Sequence, residues 1–288
     1  MMRALLFCLL LGGAAHAFAL TVTDDAAAQV TFDAPPQRII SLAPNLTELA
    51  YAAGLGSHLV AVSAYSDYPA QARQLPQVGD AFRLDWERLL ALKPDLVLAW
   101  GSALSAIDRA AFEKLQLSVL VLEPRRLDDV PKAIRLLGRI ANTEAVAETA
   151  ALAFERERKV LRTKYAGRSS VRTYFQISAA PLLTVNGKHI INDVLRLCGA
   201  QNVFFDAPVL VPAISDEALV YAQPQALLAI AATHADQEEA SNLWRSLPLM
   251  AVGRGHIGFV EPDLISRSSP RILQGARVIC EMIESMRD

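Results

Sequence analysis

Apolar and polar positions along this chain switch between helical and strand periods, and one phrase of that pattern occurs twice. Glu87-Arg-Leu-Leu-Ala-Leu-Lys-Pro94-Asp-Leu-Val-Leu-Ala-Trp100 and Glu217-Ala-Leu-Val-Tyr-Ala-Gln-Pro224-Gln-Ala-Leu-Leu-Ala-Ile230 each set a glutamate, a short apolar helix, a proline and an apolar strand at the same spacing. Upstream of each copy, Thr47-Glu-Leu-Ala-Tyr-Ala-Ala-Gly54 matches Asn192-Asp-Val-Leu-Arg-Leu-Cys-Gly199, an apolar helix closing on a glycine suited to a left-handed cap. Two copies so far apart predict two similar lobes and not a solenoid. Apolar runs predict strands at 38–42, 59–63, 95–100 and 117–122 with helices between them, the alternation of a mostly parallel sheet, and the alternation resumes from Val171. Between the halves, Asn142-Thr143-Glu144 reads as a helix start, and 145–165 contains no glycine or proline before Gly167. The pattern therefore predicts one long helix joining two α/β lobes, with a largely preformed cleft between them.

The expected divisions are an export signal at 1–19, an N-terminal α/β lobe at 20–141, the joining helix at 142–166 and a C-terminal α/β lobe at 167–288. Arg3, the apolar run from Ala4 to Leu11, and the small-residue sites Ala15-His16-Ala17 and Ala17-Phe18-Ala19 carry the first of these. No later stretch approaches about 18–20 uninterrupted apolar residues, so a soluble, extracytoplasmic protein is expected. Cleavage would remove Cys8 and leave Cys198 and Cys280, both within apolar helical patterns. In an oxidising compartment that pair reads as a disulfide or as two buried thiols that never meet.

Charge and motifs narrow the chemistry. A formal net charge of -2 and a pI near 6.2 give no overall electrostatic footprint for nucleic acid or an anionic membrane. No Gly-x-Gly-x-x-Gly follows a strand, and Asn186-Gly187-Lys188 lacks the rest of a phosphate loop. No Gly-x-Ser-x-Gly elbow supports an exported α/β hydrolase. His58, His189, His234 and His256 are scattered singly, without metal-ligand spacing. The expectation is a non-enzyme with no cofactor and no resident metal.

Four segments carry a family resemblance over nearly all of the chain beyond the leader. Arg38-Ile-Ile-Ser-Leu-Ala-Pro44-Asn-Leu-Thr-Glu48-Leu-Ala-Tyr-Ala-Ala-Gly54, Ser63-Ala-Tyr65-Ser-Asp67-Tyr68-Pro69, Leu92-Lys-Pro94-Asp95-Leu-Val-Leu-Ala-Trp100 and Ser269-Pro270-Arg271 resemble the periplasmic cobalamin-binding proteins of ABC importers. Their wider kin bind ferric siderophores, haem and corrinoids. The resemblance implies two Rossmann-like lobes on a helical backbone, a periplasmic location, a corrinoid as transported ligand, and delivery by a monomer to a permease and its ATPase. It places Tyr65, Trp100 and the stretch Asp263-Leu264-Ile265-Ser266-Arg267 against the ligand. It leads to aromatic rings where this chain has Ala81, Ile177 and Val211, with Phe82 as a possible substitute for the first. It also sets a cysteine pair at the positions of Cys198 and Cys280, and glutamates at those of Glu87 and Glu217 that engage arginines on the permease dimer. Apart from the resemblance, each glutamate simply suits a helix N-terminus. Arg83, Arg125, Arg126 and Arg267 keep a carboxylate-rich siderophore, or haem, as the alternative ligand.

Overall fold

The computed structural model describes residues 19–80 and 83–287, so the expected export signal up to residue 18, with Cys8, and the positions Ala81 and Phe82 lie outside the described residues. A hairpin of β1 (Leu20–Thr23) and β2 (Gln29–Phe32) precedes the first lobe. Its turn is fastened to a sheet edge through Asp24 and Asp25, whose carboxylates accept the Val121 and Glu123 N–H groups at 3.1 and 2.6 Å. That sheet runs in chain order through β3 (Ile39–Ser41), α1 (Pro44–Ala52), β4 (Leu59–Val62), α2 (Trp86–Ala91), β5 (Leu96–Trp100), α3 (Ala106–Lys114) and β6 (Val119–Leu122). Its strands are all parallel, in the order β4-β3-β5-β6, as the near-continuous apolar runs require of strands covered on both faces.

Two long helices follow, α4 (Asp129–Ala141) and α5 (Glu144–Tyr165). They approach so closely that a Cβ at Gly138 would stand 2.3 Å from that of Ala147, which is why a glycine occupies the position. Arg135 joins them further, donating to Glu148 and Glu155 at 2.6 Å each. Those bonds, Glu148 first and Glu155 second, raise the Arg135 guanidinium pKa above its usual value.

The second lobe holds β7 (Val171–Ser178), β8 (Leu183–Thr184), α6 (Ile190–Leu197), β9 (Ala200–Asn202), α7 (Asp216–Ala222), β10 (Ala226–Ile230), α8 (His234–Arg245), α9 (Met250–Gly253), β11 (Ile257–Val260), α10 (Pro262–Ile265) and α11 (Ile272–Ser285). Its sheet runs β11-β10-β7 in parallel, with β9 parallel to β7 and the short β8 antiparallel to it. The architecture is thus two α/β lobes joined by one long helix.

The sequence repeat corresponds to a repeat of backbone contacts. Lys93 and Gln223 both adopt left-handed φ, at 45° and 39°, one residue before the matching prolines. Arg38 donates to the Leu92 carbonyl and Arg172 to the Ala222 carbonyl, each at 2.6 Å, tying the end of α2 or α7 to the start of β3 or β7. Gly54 and Gly199, which follow α1 and α6, have φ of 88° and 71°, the conformation a left-handed helix stop needs.

One buried apolar cluster crosses from lobe to lobe, running from Leu46 and Leu137 through Phe154 and Leu161 of α5 to Val194 and Ile279. Cys198 and Cys280 form a disulfide between the end of α6 and α11, with Cα atoms 4.6 Å apart. Arg126 Nε donates to Asp193 at 2.7 Å and Arg277 to Glu157 at 2.6 Å, so polar contacts add to the apolar joint. A joint of packed helices with a shared core resists hinging more than flexible connecting strands would.

Candidate functional site

A cleft of about 500 Å³ opens between the lobes. Its first wall comes from the carboxyl ends of β3, β4, β5 and β6: Leu42 to Asn45, Ser63 to Tyr65, Trp100 with Ser102 and Ala103, and Glu123 to Arg125. This is where open parallel sheets bind ligands, because the strand ends and helix starts leave a crevice there. The facing wall comes from His189 and Ile190 at the start of α6, with Leu210, Val211, Ser266 and Ser268.

Tyr65 and Trp100 both line this cleft. Trp100 ends β5, its ring partly packed on the core and partly open. Tyr65 is 78% exposed and sits at a φ of 64°, unusual for a non-glycine residue. Its surroundings hold it there. Thr47 Oγ1 donates to Ser66 Oγ at 3.1 Å, the Ala64 N–H to the Gly79 carbonyl at 2.7 Å, and Arg267 Nη2 to the carbonyl of Tyr65 itself at 3.1 Å. A conformation fixed from three directions presents the ring without loop-ordering entropy on binding.

The 263–267 stretch divides differently from expectation. Ser266 lines the cleft, whereas Ile265 is fully buried and Leu264 packs against Gly275 of α11, whose Cβ would meet the Leu264 carbonyl at 2.4 Å. Arg267 is turned into an ion network. Its Nη1 donates to Glu48 at 2.9 Å and to Asp67 at 2.7 Å, and its Nη2 donates to Asp263 at 2.8 Å. Glu48, 3% exposed, also accepts from Ser269 Oγ at 2.5 Å and from Arg271 at 2.6 Å, and the Arg271 guanidinium lies 4.1 Å over the Tyr68 ring. Burial pushes the Asp67 carboxyl up, but the bond and charge of Arg267 more than offset it and hold it below the usual carboxylate range. Leu264, Ile265 and Arg267 therefore buttress the cleft from behind. Ile265 is buried in the core, and four N–H groups of the Arg267 guanidinium are spent on protein acceptors.

Of the positions where rings are expected, Val211 lines the cleft as an aliphatic side chain, and Ile177 packs against the core. Three of the four alternative arginines are paired within the protein: Arg126 with Asp193, Arg267 with Glu48, and Arg125, which lines the cleft, with Glu123 at 3.2 Å. His189 lies in the second wall although its solitary place in the sequence gave no sign of it. Burial pulls its pKa down to about 4, and its Nδ1 accepts the Ile191 N–H at 3.2 Å as a helix cap. Glu123 was also missed, and Arg125 was named only for the alternative ligand, though both follow β6 directly and the strand-end rule reaches them.

Glu87 and Glu217 hold equivalent places, each second in its helix and exposed. Asp85 caps α2 by accepting the Arg88 N–H at 3.0 Å, and Ser215 caps α7 by accepting from Ala218 at 3.2 Å. A bond from the Ser215 hydroxyl holds the Glu217 carboxyl below its usual range.

Two similar α/β lobes on a helical joint, with an inter-lobe cleft at the strand ends, define a substrate-binding protein. The periplasmic binding protein family matches residues 39–251, and the chain belongs to that family. Among relatives, a vitamin B12-binding protein of Pectobacterium carotovorum is 38% identical over 255 residues, covering 87% of this chain and 90% of the relative. One of Vibrio cholerae is 35% identical over 252 residues, covering 87% and 90%. The crystal structure of the periplasmic vitamin B12 binding protein of Vibrio cholerae superposes with a TM-score of 0.80 at 34% identity, covering 88% of this chain and 98% of that one.

Proposed function

We propose that this chain is an extracytoplasmic receptor that captures a corrinoid in its inter-lobe cleft and delivers it to an ABC permease in the periplasm. The observation that carries the reading is the pair Tyr65 and Trp100 on one wall of a preformed, largely apolar cleft, in a chain whose relatives are named for vitamin B12. Ring faces suit a flat macrocycle because they bury area at low entropic cost. Binding and release are the whole of the chemistry: the corrinoid is cargo, no covalent step is needed, and the protein acts as a monomer. Glu87 and Glu217, related by the internal repeat, are the contacts offered to a two-fold permease, and the charge on each is reinforced by its helix N-terminus.

Calorimetric titration with cyanocobalamin, haem and a ferric siderophore tests the reading. Saturable one-to-one binding of cyanocobalamin in preference to the other two is expected. A preference for haem would instead make the exposed Tyr65 an axial ligand and overturn the corrinoid assignment.

A further inference from the structure

The cleft floor carries a polar group that the chain leaves unanswered. Asn45 lines the cleft and is 8% exposed, yet its amide nitrogen is buried with no hydrogen-bond partner among the described residues. Buried amides in native folds are otherwise satisfied, and a side chain serving the fold alone would find a partner or be apolar.

Asn45 stands in the first turn of α1, at a helix end that is itself uncapped. Pro44 takes the first helical position and brings no N–H, and Ala43 offers no side-chain acceptor. Ala43, Pro44 and Asn45 all face the cleft, so the positive end of the helix is turned to the same space. The repeat counterpart, α6, differs: its start also lines the cleft, but His189 Nδ1 satisfies the Ile191 N–H there and keeps the ring proton on Nε2. The α6 start is thus satisfied by its own side chain, whereas the Asn45 amide nitrogen lacks an acceptor.

We propose that the Asn45 amide, backed by the α1 N-terminus, is an oxygen-acceptor subsite that donates a hydrogen bond to a ligand carbonyl or phosphate oxygen. The subsite rests on the corrinoid reading above and adds an orienting contact to it. A corrinoid carries amide carbonyls around its ring and a phosphodiester in its nucleotide arm, and both supply the same acceptor chemistry. Tyr65 and Trp100 take the apolar surface, while the Asn45 bond fixes rotation within the cleft, which aliphatic Val211 cannot do.

Cyanocobalamin and cobinamide, which lacks the nucleotide and its phosphate, are titrated into the unsubstituted protein and into Asn45→Ala, Asn45→Asp and Asn45→Ser. Asn45→Ala is expected to weaken cyanocobalamin binding about tenfold, with a melting temperature unchanged or raised because an unpaired buried amide has gone. Asn45→Asp, which sets a carboxylate against an oxygen, weakens binding further, and the hydroxyl donor of Asn45→Ser recovers part of it. An equal loss with cobinamide identifies a ring carbonyl as the acceptor, and cobinamide affinity unaffected by the substitution identifies the phosphate. If the unsubstituted protein bound no corrinoid, the functional reading itself would fall. If it bound cyanocobalamin and Asn45→Ala and Asn45→Asp bound it equally well, the subsite alone would be overturned, as it would by a melting temperature that dropped in step with affinity.

Discussion

Arg267 and Glu48 lie 219 positions apart in the chain and meet at 2.9 Å with both side chains buried. The pair joins α1 of the first lobe to the segment between α10 and α11 of the second, and Ser269 and Arg271 converge on the same carboxylate. It stiffens the cleft by a route that does not pass through α5. Removing one member of a buried pair leaves an uncompensated charge, which costs about 3–5 kcal/mol. Glu48→Ala should lower unfolding stability by that amount in urea, and the double variant with Arg267→Ala should lose less than the sum of the two single losses. Additive losses would show that the two side chains do not depend on each other.

Acid stability should be governed first by His189. Burial holds its pKa near 4 against an ordinary 6.5, so the unfolded chain takes up a proton that the folded one refuses. Stability is therefore complete above pH 6.5 and falls as pH drops toward 4, by up to about 3 kcal/mol for a shift of this size. Asp67, also depressed, contributes with the same sign but only below the carboxylate range, and its partial exposure makes it the smaller effect. Replacement by Asn, which keeps a capping side chain, should flatten the stability profile between pH 6.5 and 4. An unchanged profile would rule His189 out as the source.

The Cys198–Cys280 bridge closes a loop with a sequence separation of 82 and anchors the last helix to α6. Losing a native bridge typically costs about 2–5 kcal/mol. The double variant Cys198→Ala/Cys280→Ala should melt lower by a corresponding margin, and thiol labelling of the denatured, unreduced protein should find neither sulfur free.

Replacement of Trp100 by alanine should weaken corrinoid binding about tenfold or more, since a half-open ring contributes burial to the ligand as well as to its own lobe. Folding should survive, because the ring only flanks the core cluster. Calorimetry on a folded variant with unchanged affinity would remove Trp100 from the site.

What the sequence disclosed and what it concealed differ in kind. The repeated phrase, the long helix and the strands predicted at 38–42, 59–63, 95–100 and 117–122 were legible because periodicity and the proline and glycine stops are local signals. Lys93 and Gln223 sharing a left-handed φ was implicit in the repeat itself. The two-residue β8 and the β1–β2 hairpin were not read, since so few residues per strand give little pattern. Arg267 was expected at the ligand because the family resemblance places the stretch from Asp263 to Arg267 there. Its inward turn depends on Glu48, Asp67 and Asp263, partners that only the fold brings together. Asn45 lay inside the first segment of resemblance with no role given to it, and His189 had no motif to announce it. Their place in the cleft follows from helix starts on opposite lobes facing one another.

That same repeat bears on delivery. Glu87 and Glu217 hold the same second position in α2 and α7, each after a capping residue and each exposed, so a permease with two-fold symmetry can present one basic pocket to both. Exposed ion pairs are individually weak, about 0.2–1 kcal/mol, but a docking surface shields them and links one to the other. Loss of both should therefore impair docking more than loss of either alone. Each carboxylate also favours its own helix N-terminus, so alanine variants lose a little stability whatever their partner. Gln variants reduce that confusion by keeping the side chain's shape. Glu87→Gln/Glu217→Gln should retain ligand affinity and lie within a few degrees of the parent melting temperature, yet lose uptake through its importer in reconstituted vesicles. Transport at the parental rate with both charges gone would leave the glutamates as helix-terminus residues and nothing more.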